Sequence, residues 1–156
     1  MPTFTTWPAG KPFTADRINA MVGPLQTYTP VVTNAGSATF TTLTGIYVVM
    51  GPLTWVNIDL TVGTAGSGSG LVTITMPSAP DHTQRQVLTM HTESVGSGGN
   101  ASSHIGGGEA VFLAGGSGTT TDRLRTDEGS TTARENNVMG NDLLAGGHIT
   151  IQGFYL

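Results

Sequence analysis

Four histidines, ten carboxylates and two tryptophans, set among 23 glycines, are the residues of this 156-residue chain that could do chemistry. Metal chemistry needs converging ligands, usually with at least one pair at short local spacing. His82, His91, His104 and His148 are widely separated and no two stand at such a spacing, although a sheet could bring His91 near His148. No ordered Asp-x-Asp-x-Asp run offers a calcium loop. Cysteine is absent, which removes thiolate zinc sites, cysteine nucleophiles and disulfide scaffolds. No metal and no cofactor is expected.

Glycoside hydrolysis needs two carboxylates facing each other across the scissile bond. Asp59, Glu93 and Glu109 lie in strand-like segments, but any β protein with ten acids offers as much. Asp81, Asp122, Asp127, Glu128, Glu135 and Asp142 read as loop or edge charges. A phosphate cradle would need Gly-Lys-Ser/Thr entering a helix, yet the one lysine is Lys11, and no Gly-x-Ser-x-Gly nucleophile elbow is present. The glycine loops read as tight turns or close backbone approaches, and the chain reads as a non-enzyme.

Trp55 stands apart. It is followed at two-residue steps by Asn57 and Asp59, so in a strand all three share one face. An aromatic ring with an amide and a carboxylate beside it is a ligand platform suited to a sugar ring. The plainer reading is that this face packs on a second sheet or a neighbouring subunit. Trp7, in a proline-rich start, reads as an anchor for that segment.

The elements that would position these residues are strands. Val56, Ile58, Leu60 and Val62 alternate with Trp55, Asn57, Asp59 and Thr61, the pattern of a sheet with one face on the core. Val72, Ile74 and Met76 repeat it, as do Leu88 and Met90, and Ile149 and Ile151. Weaker strand signals fall at 29–33, 38–42, 45–50, 109–114 and 121–125. Glycine-rich turns separate them, so the chain is expected to be all-β, an antiparallel β-sandwich of jelly-roll type. The stretch 127–146 reads as a long loop with one helical turn.

The first 27 residues differ. Residues 1–12 carry three prolines and no period, an extended arm. Thr14 can cap a helix, with Phe13 and Ile18 as its hydrophobic staple. Ile18, Met21, Val22 and Leu25 then form one apolar stripe, ended or kinked at Gly23-Pro24. A helix this short is marginal alone, so its stripe must rest on its own domain or on symmetry mates. The expected division is 1–27 for arm and helix and 28–156 for the β domain.

Composition narrows the class further. Twenty-six threonines and 23 glycines stand against only 10% charged residues and a net charge of −4. Thr favours a pleated surface, and few charges oppose close contact between copies. With six Lys and Arg there is no footprint for a nucleic-acid backbone, and no apolar run approaches the length of a membrane span. The expectation is an all-β protein that lives in an assembly.

Several segments resemble small tail-fibre, tail-tip and receptor-binding proteins of phages and prophages. They are Trp7-Pro8-Ala9-Gly10 followed by Phe13-Thr14-Ala15-Asp16-Arg17-Ile18-Asn19, the Tyr28-Thr29-Pro30 step, and Gly45 to Gly51 running into Trp55-Val56-Asn57-Ile58. Val72 to Pro77 and the closing Ile149 to Tyr155 are similar too. The resemblance implies a homotrimer on the virion, attached to tail or baseplate through its N-terminal segment, with Trp7 and Phe13 at the attachment. It also implies a β domain facing a host cell-wall glycan. No long shaft follows the N-terminal segment, so a compact tip subunit or a head-decorating capsid protein fits better than a free-standing fibre.

Overall fold

Alternating β-branched and polar residues need partners for both their backbone groups and their apolar face, and this chain supplies both from strands distant in sequence. The computed structural model describes residues 14–16, 22–95, 105–126 and 136–156. Its strands are β1 (Gln26–Tyr28), β2 (Val32–Thr33), β3 (Thr39–Met50), β4 (Leu53–Thr64), β5 (Thr73–Ile74), β6 (Gln86–Val95), β7 (Ile105–Phe112), β8 (Arg123–Thr126), β9 (Asn136–Asn137) and β10 (Leu143–Tyr155). A 3-10 turn, Gly140–Asp142, leads into β10. The fold is all-β, antiparallel and sandwich-like.

Eight strands form one sheet in the order β1-β3-β4-β10-β6-β7-β8-β9, and β2 pairs with β5 in a second, two-stranded sheet. The segment around β5 is the lid of the sandwich. On one side Thr75 N donates to Val31 O at 3.0 Å; on the other, Thr121 N donates to Ile74 O and Val72 N to Val138 O, both at 2.9 Å. The residues leading into β8 and those following β9 thus join the lid to the far end of the large sheet. Thr29-Pro30-Val31 joins it at the near end.

Between sheet and lid sits the core. Val56, Ile58, Leu60 and Val62 of β4, Leu88 and Met90 of β6, and Ile149 and Ile151 of β10 are at most 1% exposed. Val72, Ile74 and Met76 close over them from the lid. The alternation read in the sequence therefore places its apolar face as expected, with Trp55, Asn57, Asp59 and Thr61 half-buried on the outer face.

Three expectations need correction. The stretch 127–146 is not all loop: β9 and the start of β10 at Leu143 fall within it, paired with β8 and β6. The segments 38–42 and 45–50 are one strand, β3, because Gly45 continues the pairing and is not a break. Its missing side chain makes room for the Tyr28 ring, which a Cβ there would overlap. The helical stripe also ends before Val22. Ala15 and Asp16 carry helical backbone just after Thr14, but Val22 bridges Met50 in an antiparallel pair and Gly23 N donates to Val49 O at 2.8 Å. Proline at 24 cannot continue a helix, so the chain is extended there, and Val22 and Leu25 stand 40% and 62% exposed. Ile18 and Met21 lie outside the described residues, as do Trp7, Phe13 and His104.

Candidate functional site

Because side chains alternate along a strand, strand register decides which residues meet on the outer face. Trp55 pairs with Val48 on β3 and with Phe154 on β10. Asn57 pairs with Ile46 and Gln152, Asp59 with Thr44 and Thr150. The three residues singled out in the sequence are thus brought together, each the centre of a row that crosses the strands. An apolar row runs through Val48, Trp55, Phe154 and Val87, with Phe154 and Val87 53% and 43% exposed. A polar row runs through Asn57, Gln152, Thr89 and Glu109, matching the pairs Gln152–Thr89 and Thr89–Glu109.

Asn57 holds the middle of this surface. Its Oδ1 is buried and accepts no hydrogen bond, a state that costs about 1–3 kcal/mol for an amide-type group. Next to it His148 Nε2 is hydrogen-bonded to Asp59 Oδ1. In the same two rows, on β6, His91 Nε2 approaches Glu93 Oε1 at 3.5 Å, both side chains about half exposed. His148 takes the outer face because β10 bulges against β6: Leu143 pairs with Val95, and only five residues later does His148 pair with Glu93.

The carboxylates weighed as a hydrolytic pair are divided. Asp59, Glu93 and Glu109 sit on β4, β6 and β7, and each has its own partner: His148, His91 and Arg85. His91 pairs in register with Thr150, and His148 with Glu93, so the two imidazoles are diagonal neighbours on adjacent strands. Among the described residues no three His, Asp or Glu side chains are grouped to hold a metal ion.

A second polar centre ties loops together beneath one end of the sheet. His82 lies edge-on to Phe112 and sets its two ring nitrogens 3.3 Å from Leu113 O and Gly118 O. Asp122 Oδ2 accepts from Leu113 N at 2.6 Å. Asp81 is held below the usual carboxylate range first by the backbone N–H of Thr83 and then by its hydroxyl. Tyr155 OH touches Ser78 Oγ at 2.9 Å, and burial raises its phenol against the lowering effect of those Ser78 hydrogen bonds. These groups brace the fold and face no open surface row.

Sequence reading found Trp55, Asn57 and Asp59 but not Phe154, Gln152 or His148 beside them. Alternation around Ile149 and Ile151 assigns those residues a face. It does not name β4 as their neighbour, since that pairing spans about ninety residues. Comparison with known protein families, with curated proteins and with solved structures finds no match for this chain.

Proposed function

We propose that the chain is a non-enzymatic virion surface protein of the phage tail tip, a homotrimer whose outer sheet face binds a host-surface glycan. The observation that carries the binding is the line Trp55–Asn57–Asp59, with Phe154 beside the indole and Gln152 beside the amide. Sugar rings offer an apolar C–H face and a rim of hydroxyls. Trp55 and Phe154 match the first, while Gln152 and Asp59, beside the partly exposed Asn57, match the second. Small size, few charges, abundant Thr and Gly, and the segments quoted above support the virion setting.

A glycan array probed with the full chain and with Trp55→Ala and Asn57→Ala tests this. The expected result is a retained glycan that both variants lose while their sheet content stays unchanged. Binding that survives both substitutions defeats the platform.

The exposed apolar row favours one other reading, a capsid-decorating subunit whose Trp55–Phe154–Val87 row is covered by a virion partner. That reading predicts no host glycan on the array, together with capsid binding that Phe154→Ser abolishes.

A further inference from the structure

The described residues carry seven acids and only three basic side chains, Arg85, Arg123 and Arg125. All three sit at one end of the outer face. Arg85 precedes β6 and reaches Glu109 at 3.5 Å. Arg123 pairs in register with Val111, and Arg125 with Glu109. Among the described residues Glu109 is the single acid on the outer face of β7 and β8, so three arginines meet one outer-face carboxylate there.

Val111 shows how Arg123 is held. It points to the outer face and is not part of the central core, yet it is 0% exposed. Its cross-strand neighbours on that face are Val87 and Arg123, and a long basic side chain can lay its apolar stem over such a residue. Arg123 Nε is buried with no hydrogen-bond partner. Arg123 as a whole is partly exposed, so a planar anion would be gripped by two parallel hydrogen bonds from the terminal guanidinium nitrogens and not through the buried Nε.

The same apolar row links this end to the platform. Trp55 on β4 and Arg123 on β8 are four strands apart, about 19 Å along the sheet at ~4.8 Å per strand. An extended ligand lying across the strands would pass Phe154 and Val87 on the way.

We propose that Arg85 and Arg123 form a subsite for the anionic group, sulfate, phosphate or carboxylate, of an acidic glycan that crosses the strands from Trp55. The proposal rests on the glycan reading above and adds the ligand's charge.

The test uses the full chain and three immobilised polymers: dextran sulfate, polygalacturonate and uncharged dextran. The variants are Arg85→Gln combined with Arg123→Met, which keeps an apolar stem over Val111, and Trp55→Ala. The expected result is retention on both acidic polymers but not on dextran, weakened by salt. The arginine variant should lose roughly tenfold or more, the scale of charge-assisted hydrogen bonds, and Trp55→Ala should also weaken binding. Unchanged binding by the arginine variant, or no binding to either acidic polymer, overturns the subsite. If an uncharged glycan is instead held through Trp55 with no effect of the arginines, the subsite fails and the glycan reading stands. If acidic polymers are held through the arginines with no effect of Trp55→Ala, the subsite stands and the platform fails. Equal retention of a single-stranded oligonucleotide would mark a general polyanion patch and overturn the glycan class.

Discussion

At the scale of single residues, the paired groups of the outer face and the phenols packed in or against the core behave in opposite ways. Asp59 and His148 are 48% and 32% exposed at their side chains, so solvent screens their attraction and side-chain ordering offsets much of it. A double-mutant cycle with Asp59→Asn and His148→Gln should return a coupling of no more than about 1 kcal/mol. The pair serves to hold Asp59 in place beside Asn57 more than to stabilise the fold. Tyr28 and Tyr155 are different. Burial first, and the neighbouring Tyr155 second, raise the Tyr28 phenol far above its ordinary value, and burial raises Tyr155. A phenol raised in the folded state keeps its proton at a pH where the unfolded chain has lost it. These groups leave stability untouched below the usual tyrosine value of about 10 and erode it as pH climbs beyond. In an alkaline titration, tyrosinate absorbance from Tyr28 and Tyr155 should appear together with loss of β circular dichroism; ionisation in a chain still folded would contradict their burial.

At the scale of elements, the glycine loops and β10 decide whether the sandwich closes. Gly36, Gly66, Gly68 and Gly140 meet where the turn before β10 crosses the loop after β4, with Asn141 N donating to Gly68 O at 2.7 Å. A Cβ on Gly140 would lie 2.5 Å from Asn34 O and 2.9 Å from Gly68 Cα. Both are backbone atoms with little room to move, so Gly140→Ala should destabilise by about 1–3 kcal/mol in denaturant unfolding. Ile151, 0% exposed on the central strand, should cost about 2–5 kcal/mol as Ile151→Ala. Much of this was legible in the sequence. Alternation identified β4, the lid segment and the Ile149–Ile151 stretch, and assigned Trp55, Asn57 and Asp59 their face. Strand neighbours were not legible, because period-two patterning specifies a face and says nothing about which distant strand lies alongside. For the same reason Phe154, the place of His148 beside Asp59, and the arginine end escaped notice. The helix was read too long because the spacing of Val22 and Leu25 fits a stripe, while pairing of Val22 with Met50 satisfies the backbone that Gly23-Pro24 frees from a helix.

At the scale of the whole molecule, association and folding both follow from topology. Val22 and β1 belong to the large sheet, so a chain lacking residues 1–21 keeps every described strand. The proposed trimer should appear in the solution mass of the full chain, and the shortened chain should remain folded but dissociate if the N-terminal segment holds the copies together. A trimer that persists after the truncation would move the contact to the β domain. The central place of β10 has a separate consequence for biosynthesis. It lies between β4 and β6, yet it is the last of the ten strands to leave the ribosome. Until Leu143–Tyr155 emerges, β4 and β6 each present an unpaired edge with an uncovered apolar face, the state in which β chains pair with the wrong partner. Nascent chains stalled before residue 143 should therefore be protease-sensitive and chaperone-bound along nearly their whole length, and protection should arrive in a single late step.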